Sequence, residues 1–190
     1  MPRRFHDAEE LLPPATALKR ALAIIYDGLI SIAVLLVATW AYTIVAGWIT
    51  GWERYEQMAE AGQISGDPGL TFTLFLVLYL FFAYFWTRIG QTLGMQVWRV
   101  RIENLDGTSV SWTQALKRYI TAASVLFLTL LASYYVGAVT LLVSIPAIIA
   151  LFYPINGLSV TDRLSGSVVV AVPRETANKK HGVDKTPKTG

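Results

Sequence analysis

The sequence predicts an all-α membrane protein, a bundle of four transmembrane helices with a small cytoplasmic β-hairpin. Two of the spans are long and the other two form a short helical hairpin. Three observations carry this prediction. Residues 28–52, 68–87 and 119–161 contain no Asp, Glu, Lys or Arg, and about 20 apolar residues suffice to cross a bilayer as helix. Hydrophobic residues make up 54% of the 190-residue chain and charged residues only 15%, against about 25% in average soluble domains. Of the 29 formal charges, 28 lie in polar flanks or loops and only Asp27 lies inside an apolar span.

Residues 1–16 form a polar leader. Its Pro13-Pro14 pair stops a helix from running through, and Thr16 is placed to cap the helix that follows. The leader's Arg3-Arg4-Phe5 is faintly similar to a twin-arginine signal, but the apolar run behind it is too long for a signal core and contains Asp27. That run, residues 21–48, is an uncleaved first span. At 1.5 Å per residue it reaches roughly 42 Å, longer than the hydrocarbon core, so tilt or overhang is expected. Trp40, Tyr42, Trp48 and Trp52 gather toward its far end as an aromatic belt. A polar loop over 51–69 is broken by Gly62, Gly66, Pro68 and Gly69, and residues 70–87 form the second span.

Between the second and third spans, Gln96–Glu103 alternates. Val97, Arg99 and Arg101 fall on one face, and Trp98, Val100 and Ile102 on the other. Asn104 to Gly107 supplies a turn and Thr108–Trp112 a return strand, which together predict a β-hairpin. Ser167–Val172 is a β-branched run that adds a third strand. Ser111 and Gln114 have capping-box spacing and start the next helix. The uncharged stretch over 119–153 is too long for one span. It is read as spans 119–135 and 137–153 around a turn near Tyr134–Gly137. A polar, Lys-rich tail, residues 173–190, is expected to be flexible. The membrane domain is thus 17–172.

Topology follows from the bases. The leader through Arg20 holds four, residues 88–118 hold five and residues 154–190 hold six, whereas the 51–69 loop holds Arg54 against four acids. Lys and Arg mark cytoplasmic flanks, so both termini are expected on the cytoplasmic side of the membrane and the 51–69 loop outside. Three spans with an external tail is the runner-up. The excess of base, +3 overall, serves orientation, so no nucleic-acid partner is inferred. With no Cys in the chain, disulfides and thiol chemistry are excluded. His6 and His181 sit in the two ends, so neither a metal site nor a cofactor is expected. There is no phosphate-cradling Gly loop, nucleophile motif or paired catalytic carboxylate, and the chain is read as no enzyme.

Four motifs in order resemble the RDD family of bacterial membrane proteins, named for one Arg and two Asp. Arg20 and Asp27 match the first motif. Thr92-Leu93-Gly94 resembles a Thr-x-Gly segment, and Val100–Gly107 with Ala115–Tyr119 resembles a strand-turn and Leu-x-Arg stretch. Thr161-Asp162-Arg163-Leu164 to Ser167 resembles a His-Asp-x-Leu-x-x-Thr motif. The resemblance covers roughly 16–172. Thr161 stands where the family has His, Ser167 where it has Thr, and Met95 where many members have Lys. Some members are proposed as monovalent cation/proton antiporters, which the resemblance offers as one implication.

An acid inside a span costs about 3 kcal/mol on insertion scales and normally has a partner. Arg20 and Asp27 share a helix face but stand two turns, about 10 Å, apart. A partner for Asp27 from another segment is therefore expected, with Arg88, Arg118 and Arg163 as candidates. The predicted site is a polar cluster of Arg20, Asp27, Arg118, Asp162 and Arg163 at the cytoplasmic end. One reading makes it a packing lock in a non-enzymatic accessory or assembly protein. Its partners are then the lipid bilayer and a second copy or another membrane protein. The rival makes Asp27 the carboxylate that alternates between Na⁺, Li⁺ or K⁺ and a proton. The shallow position of Asp27, roughly 9 Å inside, favours the lock, because transport sites tend toward the midplane.

Overall fold

The structure is a computed structural model, and it describes residues 3–6, 12–137 and 152–173. Among the described residues, three helices are long and apolar enough to cross a membrane. Helix α1 spans Ala17–Thr50, opened by the Thr16 hydroxyl accepting from Lys19 N. At 34 residues it is roughly 51 Å long. The short helix α2, Trp52–Glu60, turns back after Gly51, and a 3₁₀ turn over Gln63–Gly66 leads to Asp67. Asp67 caps α3, Pro68–Arg88, by accepting from Gly69 N, with Pro68 in the first turn where its missing N–H costs nothing. The Tyr42 hydroxyl of α1 donates to the same carboxylate, tying the loop to the first span.

Thr92 caps a six-residue helix, α4, Leu93–Trp98, which Arg99 ends in the left-handed region at φ 53°. Strand β1, Val100–Glu103, follows directly. Helix α5, Trp112–Val136, opens with the reciprocal Ser111–Gln114 capping box and ends at Gly137. Helix α6, Val160–Ser165, carries a second capping box between Ser159 and Asp162, and β2, Val168–Ala171, closes the described chain.

Helix α3 lies between α1 and α5, touching both. Mid-bundle, the helices expose their apolar side chains: Leu36, Trp40 and Phe127 are each about two-thirds exposed, as lipid-facing residues must be. The packed core sits instead at one end, where Ala15, Ala23, Val100, Ile102, Val110 and Val169 are buried together. This end holds the sheet. β1 pairs antiparallel with β2, Val100 opposite Ala171 and Glu103 opposite Val168. The leader extends it: Ala15 N donates to Val169 O and Ala171 N to Pro13 O, placing the prolines on an edge that needs no ladder donor from them.

Helices α1 and α3 cover the residues expected as spans over 21–48 and 70–87 and run past them by one to four residues at each end. The expected hairpin is corrected. Asn104 to Thr108 does turn, but the chain enters α5 within a few residues, leaving no return strand. The run after Ser167, expected as a third strand, is the actual partner of β1. Val97 and Trp98 are helical because the Thr92 cap starts α4 before the alternating stretch begins. Thr108 pairs with Arg4 of the leader instead. The expected fourth span falls mostly on residues 138–151, which lie outside the described residues, as does the tail beyond 173.

Candidate functional site

Asp162 is the centre of the sheet end. Its carboxylate is 1% exposed as a residue and accepts from two guanidinium groups: Arg20 Nη1 at 2.6 Å and Arg118 Nη1 at 2.8 Å. Ser159 N adds a third bond to it at 2.9 Å, as the first turn of α6 requires. Burial pushes this carboxyl up, but Arg118 and Arg20 outweigh it and hold the group below the ordinary Asp range. Arg20 is itself fixed by carbonyls, with Nε on Ala15 O and Nη2 on Gly157 O and Val169 O. One α1 side chain therefore binds the leader, the loop before α6, and β2.

Arg118 is held differently. Its bonds to Asp162, Ser165 Oγ and Ser167 Oγ all leave from Nη1. Its Nε and Nη2 hold no hydrogen bond to a described residue, though the residue is only 7% exposed. Ser167 replaces the threonine of the resembling motif and keeps the hydroxyl that Arg118 uses. Thr161, where that motif has His, is buried with its hydroxyl 2.8 Å from Ser159 Oγ.

Asp27 stands apart from this ion cluster. The expected arginine partner is corrected: among the described residues no base lies within ion-pair distance of it. Its oxygens accept from the Thr92 hydroxyl and, at 2.9 Å, from Gly94 N. Both donors sit at the start of α4, so Asp27 clasps that short helix to α1. Gly94 is required by proximity. A Cβ there would stand 2.5 Å from Ala23 O and 2.9 Å from the Asp27 carboxylate. Arg163, also expected in the cluster, is exposed and reaches only Ile155 O at 3.4 Å. Arg88, another candidate partner, is exposed as well.

Arg20, Asp27, Arg118 and Thr161 nevertheless meet at one feature. They line a cleft of about 440 Å³ between α1, α3 and α5, whose other lining is almost wholly apolar. Met95 lines it too, at the position where many members of the resembling family carry Lys.

Thr92 and Gly94 are the site residues that charge-based reasoning missed. Their Thr-x-Gly spacing was the available signal, and the geometry gives it a physical meaning: a hydroxyl and a bare amide set for one carboxylate. Arg20 with Asp27, Thr92 with Gly94, and Asp162 thus converge on one end of the bundle. The model of the RDD family matches residues 14–166. The chain belongs to the RDD family. No curated protein and no solved structure matches it. As an RDD protein with three helices, among the described residues, apolar and long enough to cross a bilayer, it is a membrane protein. Among the described residues no group of His, Asp and Glu is placed to hold a metal ion.

Proposed function

We propose that this RDD protein is a non-enzymatic accessory or assembly component of the bacterial inner membrane. In this reading it acts through a second copy or another membrane protein rather than on a substrate. One observation carries it: the charged motif residues are engaged with the chain itself. Asp162 takes up Arg20 and Arg118, and both hydrogen bonds of Asp27 go to the start of α4. Such a set fixes geometry, the best-attested use of buried polar groups. The test is salt-induced ΔpH in everted vesicles from cells lacking their own antiporters, at equal membrane abundance. The expected result is no Na⁺-, Li⁺- or K⁺-driven proton movement, with Asp27→Asn changing only thermal stability.

A second reading rests on Asp27 lacking a base partner while lining a cleft. There it serves as the ion- or proton-binding carboxylate of a monovalent cation/proton antiporter. Cation-driven proton movement that vanishes in Asp27→Asn would establish this reading and remove the first.

Both readings place the sheet end and both termini in the cytoplasm. The support is the single base, Arg54, among four acids at the opposite end. The chain has no Cys, so each introduced Cys is unique. A membrane-impermeant maleimide should label Glu56→Cys in intact cells and Arg163→Cys only after the membrane is opened. The reverse pattern would invert the topology.

A further inference from the structure

Two unmatched groups share the cleft. Arg118 is more than nine-tenths buried, yet its Nε and Nη2 N–H groups have no acceptor among the described residues. Asp27 is equally buried and, among the described residues, has no cation within ion-pair distance. The atoms that are fully shut from solvent without a partner among the described residues are Trp86 Nε1 and Trp98 Nε1, not these, so the free guanidinium edge stays open to the cleft, and an edge formed by Nε and Nη2 is the fork that takes phosphate or carboxylate in bidentate fashion. The formal charges of Arg20, Arg118, Asp27 and Asp162 sum to zero. A neutral ligand carrying one anionic and one cationic group preserves that balance, whereas an anion alone would bring a second negative charge to the wall that Asp27 forms. The walls above are apolar, with Leu35, Leu78, Phe82 and Ala122 among them. A volume of about 440 Å³ lies within the range of drug-sized ligand sites, about 300–1,000 Å³. Arg118 sits six residues into α5, about 9 Å from its start, and exposed Arg88 and Lys117 flank the same end. Bases at the end of a helix that crosses a bilayer fit the headgroup level.

We propose that this cleft binds one zwitterionic glycerophospholipid with a primary-amine head, its phosphate on Arg118 Nε and Nη2, its ammonium on Asp27, and one acyl chain between α1, α3 and α5. This goes beyond the accessory reading and does not depend on it. Lipid retention is read by mass and proton movement by ΔpH, so either can fail alone.

The experiment is native mass spectrometry of the delipidated full-length protein in detergent. It is titrated with dioleoyl phosphatidylethanolamine, phosphatidylcholine and phosphatidylglycerol in parallel. Wild type should retain the ethanolamine lipid in preference to both others. Arg118→Lys keeps a cation for Asp162 but removes the Nε–Nη2 edge. It should bind that lipid about tenfold more weakly, the effect of losing one charge-assisted hydrogen bond. Asp27→Asn should erase the preference over phosphatidylcholine, whose quaternary ammonium has no N–H to donate. Ala122→Phe fills the cleft while deleting no polar group and should abolish retention, which keeps the test decisive if Arg118→Lys unfolds. Equal retention of the three lipids, preference for phosphatidylglycerol, or wild-type retention by Ala122→Phe would each overturn the proposal.

Discussion

Gly94→Ala is the sharpest test of the clasp between α1 and α4. The added methyl would lie 2.5 Å from Ala23 O and 2.9 Å from both Asp27 Oδ1 and Tyr26 Cβ. The nearest of these is helix backbone, which cannot swing aside as a side chain can. Overpacking of this kind costs about 1–3 kcal/mol. Pushing α4 away also stretches the Gly94 N–Asp27 bond, a hydrogen bond to a charged group worth about 1.5–3 kcal/mol. Against this stands the better helix propensity of Ala, up to about 1 kcal/mol. The net expectation is a loss of about 2–4 kcal/mol. Gly28→Ala supplies the control, because a Cβ there meets nothing within 4 Å. It should gain up to about 1 kcal/mol from propensity alone. The assay is thermal unfolding in detergent followed by tryptophan fluorescence, with both variants at matched concentration. Gly94→Ala melting at or above wild type would refute the close approach, and the two variants shifting together would show that propensity decides both.

Removing the carboxylate at the centre of the ion cluster should be far worse than removing a surface charge. Asp162→Ala leaves two buried guanidinium groups unpaired, so a loss of about 3–5 kcal/mol is expected, measured as the fraction of membrane-inserted protein that survives detergent extraction. The same group sets a pH dependence. Its folded pKa lies below the ordinary value of 3.8, so its contribution is fully present above about pH 4 and is lost as pH falls through the lower folded value. Melting temperature should therefore be flat in this respect near neutrality and drop in strong acid, and Asp162→Asn should lose that component of the drop. Met95→Lys places a cation on the residue following Gly94, facing the cleft that Asp27 lines. It should stabilise a wild-type Asp27 background and destabilise Asp27→Asn, a sign change readable by thermal melting.

The long spans were legible because uncharged runs of that length admit almost no other structure. The caps at Thr16 and Ser111 were legible because their chemistry is local, a hydroxyl meeting an amide a few residues away. The sheet was not, since β1 pairs with a strand more than sixty residues later and nothing near Val100 announces Val168. In the site, Arg20, Arg118 and Asp162 could be anticipated to gather as charges needing partners. Asp27 misled that logic. Its bonds come from a hydroxyl and an amide, which carry no formal charge and so leave no mark in a charge count. Arg163 misled it by adjacency: one step along a helix turns the side chain through about 100°, so a neighbour of buried Asp162 points outward.

The two carboxylates divide the work unequally, and this has a measurable consequence. Asp162 is shared by two bases, so the ion cluster by itself carries an excess positive charge. Asp27, held by neutral donors, supplies the compensating negative charge from across the cleft. Neutralising either acid leaves the sheet end with more positive charge in a low-dielectric setting, where charges act over longer distances than in water. Asp27→Asn and Asp162→Asn should therefore not be independent, although no atom of one side chain bonds to the other. Each single variant loses its own hydrogen bonds, and the double variant loses in addition the last negative charge facing Arg20 and Arg118. Its destabilisation should exceed the sum of the singles by more than about 0.5 kcal/mol, the usual scatter for uncoupled sites. Additivity within that scatter would mean that Asp27 and the ion cluster are separate devices, and that the charge balance across the cleft has no energetic content.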